Sequence, residues 1–134
     1  MTDLDLKWIR EIISTKEAPE AVGAYSQATA AGPLVFCSGQ LALKPGTKEL
    51  AGNTIQEQTR QAMENLAAVL DAAGSSLDMI LKTTVYLKDM NDFGVFNSVY
   101  GSFFEDDPPA RAAVQVARLP LDALVEIEAV ALRD

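Results

Sequence analysis

Thr54-Ile55-Gln56-Glu57 opens the stretch that decides the fold, and Gln58 to Gly74 (QTRQAMENLAAVLDAAG) completes it. Threonine followed three residues later by glutamate is a capping-box pattern. The hydroxyl accepts a backbone N–H, and the carboxylate reaches back to the threonine's own N–H. Behind it Ala62, Met63, Leu66, Val69, Leu70 and Ala73 recur at helical spacing. Gly74 is placed to end the helix. The stretch therefore predicts a helix with one apolar face, which needs a second layer to cover it.

That layer is legible on both sides. Downstream, Leu81, Val85 and Leu87 alternate with Lys82, Thr84 and Lys88, the pattern of a half-buried strand. Asn91 or Asp92 then caps a second helix carrying Phe93, Phe96, Tyr100, Phe103 and Phe104. Two strands follow, around residues 112–117 and 124–132, joined by a turn at Leu119-Pro120-Leu121-Asp122. Upstream, residues 9–15 read as a first strand. Ala28-Thr29 approach a turn at Ala30-Ala31-Gly32-Pro33, residues 34–38 return as a further strand, and Lys44-Pro45-Gly46-Thr47 is a second loop. The order β-β-(β)-α-β-α-β-β predicts an α+β fold, a mixed sheet with two helices on one face.

The 134 residues are read as a single domain, 1–134, with residues 1–8 as an N-terminal extension. Hydrophobic residues make up 49% of the chain, enough for a globular core. Its apolar runs fall far short of the roughly 20 residues that a membrane span needs. The start, Met1-Thr2-Asp3-Leu4-Asp5, is acidic and resembles neither a secretory signal nor a basic transit peptide. A cytoplasmic location away from membranes is the expectation.

Two features of composition narrow the chemistry. The chain has no histidine, which excludes a serine–histidine triad, a cysteine–histidine dyad and a histidine zinc site. Its single cysteine, Cys37, lies in the apolar run Leu34-Val35-Phe36-Cys37-Ser38 and reads as a small buried hydrophobe. The net charge is −8, and its 11 basic residues form no run, which disfavours nucleic acid as a partner.

The chemistry-bearing residues concentrate in the C-terminal fifth. In Pro108-Pro109-Ala110-Arg111 an arginine emerges from a segment stiffened by two prolines. Its planar fork matches a carboxylate. In Leu124-Val125-Glu126-Ile127-Glu128 the two glutamates share one strand face, and two like charges so close raise the pKa of one of them. Together they suggest a small carboxylate-bearing substrate and a hydrolytic water. Ser38-Gly39 ends a strand where a glycine lets a ligand approach the backbone. Asn97 sits mid-helix, where asparagine signals a buried hydrogen bond or a ligand contact.

Pro108-Pro109-Ala110-Arg111 and Val125-Glu126-Ile127-Glu128-Ala129 resemble the C-terminal signature of the RidA (YjgF type) family, the reactive intermediate deaminases. The resemblance runs from Ala18 to Leu132. It takes in Gly23-Ala24-Tyr25-Ser26-Gln27, Ser38-Gly39-Gln40, Gln58-Thr59-Arg60, Lys82 to Leu87, Asn91-Asp92-Phe93 and Asn97-Ser98-Val99-Tyr100. It implies the YjgF/chorismate-mutase-like fold and a homotrimer with active clefts between neighbouring subunits. The implied activity is hydrolysis of enamines and imines, 2-aminoacrylate and 2-iminopropionate, to pyruvate and ammonia, with no metal or organic cofactor. Residue by residue, it implies that Arg111 binds the substrate carboxylate and Glu126 positions the water. Tyr25, Ser38, Gly39 and Asn97 contact the substrate, and Phe93 belongs to the core or the pocket's apolar wall.

The chain departs from the family pattern at Ala24, where proline is common, and at Ala113, where some relatives carry cysteine. The main alternative is a non-catalytic protein of the same fold that binds a 2-keto acid or amino acid. Glu126 separates the two readings, because only hydrolysis needs a water-directing group. A ribonuclease activity is opposed by the acidic composition and the missing histidine. A chorismate-mutase-like rearrangement would need a second cationic anchor beside Arg111.

Overall fold

The computed structural model describes residues 8–134. The capped helix, α1, spans Ile55–Ala72, and the Thr54 hydroxyl accepts the Glu57 N–H at 3.2 Å. The other half of the box differs from the sequence pattern. The Thr54 hydroxyl donates to the Glu57 carboxylate at 2.9 Å, so the two side chains bond each other. At the far end Gly74 has φ +81°. The Gly74 N–H bonds Asp71 O at 3.1 Å and the Ser75 N–H bonds Leu70 O at 2.9 Å, the paired bonds of a Schellman ending.

Six strands form one sheet: β1 (Glu11–Ile13), β2 (Ala28–Ala31), β3 (Leu34–Gln40), β4 (Ile80–Leu87), β5 (Ala110–Gln115) and β6 (Val125–Leu132), in the order β1-β2-β3-β6-β4-β5. Only β4 and β5 pair in parallel. Parallel neighbours need a crossover, and the second helix, α2 (Phe93–Gly101), lies in it. β3 and β4 each run antiparallel to β6, so they are parallel to one another with β6 inserted between them. α1 makes the crossover between them. The mixed sheet with two helices is the α+β arrangement read from the sequence.

Both helices pack on the same face. Met63, Leu66, Val69 and Leu70 of α1 and Phe96 and Tyr100 of α2 join Val35, Val85, Val125 and Ile127 in one core. No helix covers the opposite face among the described residues. There Thr84, Tyr86, Glu126, Glu128 and Val130 are half-buried, and Phe36 is 49% exposed.

Local departures from the sequence reading have physical reasons. The hairpin turn is only Gly32-Pro33, because Gly32 takes φ +53° and lets Ala30 and Ala31 stay paired in β2. The β4 register slips between Ile80 and Lys82, and this bulge turns Leu81 outward while burying Thr83. Asp89 supplies the cap before α2, accepting the Asn91 N–H at 2.9 Å, whereas Asp92 makes no side-chain cap. Phe103 and Phe104 lie beyond the end of α2. Of the predicted N-terminal extension, residues 1–7 lie outside the described residues. Trp8 packs its indole over Gly32.

Candidate functional site

Arg111 sits near the start of the edge strand β5, opposite Thr83 of β4. Its side chain lies on the helix-covered face, with the guanidinium carbon 5.3, 5.9 and 5.0 Å from the ring centres of Phe93, Phe96 and Tyr100. Such stacking holds a cation by attraction to the ring faces. Arg111 Nη1 donates to Asn97 Oδ1 at 2.7 Å. The Tyr100 hydroxyl is itself anchored, 2.7 Å from the buried Thr83 hydroxyl. Among the described residues the ion pairs are Arg118–Asp122 and Arg133–Glu11, so no carboxylate pairs with Arg111. Asn97 is exposed rather than buried, and its carbonyl oxygen orients the arginine.

Glu126 lies on the opposite face. Val125, Ile127 and Ala129 point into the core, so Glu126 and Glu128 point away from it, as strand alternation requires. Glu126 pairs with Tyr86 across β4, and its carboxylate rests on Gly39 of β3. A Cβ at position 39 would meet the Glu126 Cδ at 2.8 Å. This contact occurs where the β3–β6 register shifts, between Cys37 and Gln40. Burial raises the Glu126 pKa, and the neighbouring Glu128 charge raises it further. Glu128 accepts the Tyr86 hydroxyl at 2.9 Å, a bond that pushes the Tyr86 pKa up.

Tyr25, Ser38 and Gly39 line a cleft of about 640 Å³ together with Glu126. The Ser38 hydroxyl donates to Ser26 O at 2.6 Å and the Ser38 N–H to Gln27 O at 3.0 Å. Both Ser38 donors are thus committed, and its hydroxyl meets a ligand only as an acceptor. Tyr25 is 52% exposed and accepts the Val22 N–H at 3.3 Å, leaving its own O–H free to donate among the described residues.

The candidate residues therefore form two groups that one chain does not bring together. Arg111, Asn97 and Phe93 are on the helix face; Tyr25, Ser38, Gly39 and Glu126 are on the other side. Thr83 opposite Arg111 pairs with Ala129, three residues along β6 from Glu126 and two strands across from Arg111. That offset corresponds to a backbone separation of about 14 Å, from roughly 4.8 Å per strand and 3.3 Å per residue. The sheet itself stands between the two side chains.

Several residues that shape these groups were not assigned roles by the sequence reading. Gln27, 4% exposed, accepts the Thr15 N–H at 2.7 Å and donates to Thr15 O at 3.0 Å and Pro19 O at 2.7 Å. It fixes the segment leading to Tyr25. Gln58 and Asn65 lie on the buried face of α1. Gln58 donates to Gly52 O at 3.0 Å and accepts the Leu124 N–H at 2.8 Å; Asn65 donates to Leu41 O and Leu43 O. The available signal was polar residues on the apolar stripe of a helix. Burial pushes the Cys37 thiol up to about 12, which suits an inert buried side chain. Among the described residues no group of three or more His, Cys, Asp or Glu is arranged to hold a metal, and no helix is long and apolar enough to cross a membrane.

Comparison with known proteins gives concordant matches. The family model described as Endoribonuclease L-PSP matches residues 15–133. A RutC family protein of Pyrococcus horikoshii is 50% identical over 126 residues, covering 94% of this chain and 100% of that protein. The 2-iminobutanoate/2-iminopropanoate deaminase of Mus musculus is 46% identical over 125 residues, covering 93% of each. The crystal structure of E. coli TdcF with bound serine superposes with a TM-score of 0.88 at 45% identity, covering 92% of this chain and 99% of that one.

Proposed function

Because the chain belongs to the Endoribonuclease L-PSP family, the RidA (YjgF type) family that its motifs resemble, we propose that it hydrolyses 2-imino acids and their enamine tautomers to 2-keto acids and ammonia. The observation that carries this reading is Arg111. It is a cation held by three aromatic rings and Asn97, with no carboxylate of the described chain beside it. A prepared cation without an anion suits a substrate carboxylate. The mouse relative bears the name of this activity.

The chemistry asks little of the protein. An enamine first takes a proton on carbon and loses one from nitrogen to become the imine, whose C=N carbon is electrophilic. In this reading Arg111 holds the carboxylate and Glu126, as carboxylate, accepts a proton from water as its oxygen bonds that carbon. The imine nitrogen takes a proton from solvent, balancing the one the hydroxyl later releases, and this gives a carbinolamine. Glu126 then returns its proton to the departing nitrogen, the C–N bond breaks and the hydroxyl loses its proton. The sum is imine plus water to keto acid plus ammonia. A base whose pKa is raised toward the working pH suits both transfers. Tyr25 O–H and the Gly39 backbone complete the pocket, and Ser38 presents its oxygen as an acceptor.

Placement of Arg111 and Glu126 on opposite faces supports a cleft that draws one residue from each of two chains. The family resemblance supports a homotrimer as that assembly. The half-buried open face of the sheet, with exposed Phe36, is the surface this assembly would cover.

A second reading is favoured by one observation: the TdcF neighbour was solved with an amino acid bound. In that reading the protein binds a small carboxylate without turnover. Ammonia release from 2-iminopropionate, generated in situ by an amino-acid oxidase, decides between them. Acceleration by wild type, with loss in Arg111→Ala and Glu126→Ala variants that stay folded, supports hydrolysis. Wild type no faster than buffer, with pyruvate still bound, supports binding alone. The family description also names an endoribonuclease, but the −8 charge and missing histidine count against that chemistry.

A further inference from the structure

The turn entering β6 holds a feature the mechanism does not use. Leu121 has φ 59° and ψ 21°, followed by Asp122 at φ 54°. The left-handed region is rare for a branched side chain and persists only when its surroundings enforce it. Here they do. The Asp122 N–H bonds Leu119 O and the Ala123 N–H bonds Pro120 O, each at 3.1 Å. Arg118 forks onto Asp122 at 2.8 and 3.3 Å. The result is a leucine 59% exposed, lining the same cleft as Glu126. Val22, Leu41 and Pro120 line it too, and Val22 is 66% exposed. One side of the Glu126 cleft is thus an apolar wall with its Leu121 and Val22 exposed, lining the same cleft as the proposed reacting centre.

Resting on the deaminase reading, we propose that Leu121 is a specificity residue and that the preferred substrates are 2-imino acids with apolar side chains larger than methyl. A 2-imino acid has three parts to place. Arg111 takes the carboxylate and Glu126 serves the C=N carbon, which leaves the side chain for the wall. Acidic side chains are disfavoured, since Glu20, Glu126 and Glu128 outnumber Lys48 among the charged residues lining the cleft. Hydrophobic pockets commonly separate substrates by roughly 10- to 200-fold per methylene, so a leucine-derived imine should be favoured over an alanine-derived one.

The test compares kcat/KM for imines generated from leucine and from alanine, in wild type and Leu121→Gly. Glycine suits the left-handed backbone, so the variant should fold at least as well, checked by its Tm. Leu121→Asn, also tolerant of this conformation, is a second variant. In parallel, calorimetry gives Kd for the unreactive keto acids 4-methyl-2-oxopentanoate and pyruvate. We expect wild type to prefer the leucine-derived imine at least tenfold. Both variants should erase that preference through KM, with less than a twofold change for the alanine-derived imine. Equal use of both imines by wild type, or equal loss for both in the variants, overturns the inference. If neither imine is turned over but the Kd ratio favours the larger keto acid and depends on Leu121, the deaminase reading falls while the wall stands. Absence of both turnover and a Kd difference removes both.

Discussion

The Glu126 carboxylate rests directly on the Cα of Gly39, with no room for a side chain between the two strands. A Cβ there would meet the Glu126 Cδ at 2.8 Å and Cγ at 3.0 Å. Gly39 does not have a positive φ, so its backbone accepts alanine; what it lacks is space. The obstructing atoms end a flexible side chain that can swing away. Gly39→Ala should therefore change Tm little while moving the carboxylate off its position. We expect kcat to fall by roughly 10²- to 10⁴-fold, the usual worth of a positioned proton-transfer group. An active Gly39→Ala enzyme would remove Glu126 from the mechanism.

The same burial sets a pH dependence. Glu126 is raised first by desolvation and then by Glu128. Hydrolysis needs it ionised, so the acid limb of the pH–rate profile should lie above the ordinary glutamate range. Replacing Glu128 with glutamine removes one raising cause, and the limb should move to lower pH. Tyr86→Phe, which deletes the hydroxyl bonded to Glu128, tests whether that bond matters to the pair. A limb unmoved by Glu128→Gln would show that Glu128 does not influence the group that titrates.

Stability carries the opposite sign. A carboxyl whose folded pKa is raised binds protons more tightly in the folded chain, so stability is full below the unfolded value and falls as pH rises through the folded one. Glu126→Gln should therefore raise Tm at pH 7 to 8 and leave it nearly unchanged below the ordinary glutamate pKa. Thermal melts at the two pH values check this. A uniform shift at both would point to packing rather than charge.

Gln27, which lines the Glu126 cleft, offers a stability test of the segment leading to Tyr25. Its buried amide makes several bonds to Thr15 and Pro19, with a longer one, 3.5 Å, to Ala18 O. At about 1 kcal/mol net for each strong bond, with buried partners left unpaired, Gln27→Ala should cost about 2–4 kcal/mol in urea unfolding. Limited proteolysis should then cut first within residues 15–25. A loss below 0.5 kcal/mol would mean that this segment is held by its apolar contacts, Ala18 and Ile13.

What the sequence could reveal followed from periodicity. The α1 stripe and the alternation of β6 survive because burial of Leu66 and Ile127 demands them, and both are local patterns. The Leu81 bulge was illegible, since a one-residue slip in β4 depends on its partner β6, far along the chain. The Ser38 hydrogen bonds were hidden for a related reason: Ser26 O reaches it only once β2 and β3 pair. Residue type and resemblance both single out Arg111 and Glu126. Their placement on opposite faces follows only from register, which no single strand encodes.

That placement yields the sharpest prediction. If each active cleft takes Arg111 from one chain and Glu126 from its neighbour, two inactive variants should complement each other. Arg111→Ala keeps an intact Glu126, and Glu126→Ala keeps an intact Arg111. Head-to-tail interfaces in a closed ring put different surfaces of neighbouring copies together. In a randomly mixed 1:1 ring, half the chains can supply Arg111 and half of their neighbours can supply Glu126, so about a quarter of the clefts become complete. Co-refolding the two variants should thus restore about a quarter of wild-type ammonia release, and either variant refolded alone should restore none. Native mass spectrometry of the mixture, with one variant isotopically labelled, confirms that chains have exchanged. Exchange without recovered activity would place both residues in a cleft within one chain, contrary to the opposed faces on which the shared-cleft reading is built.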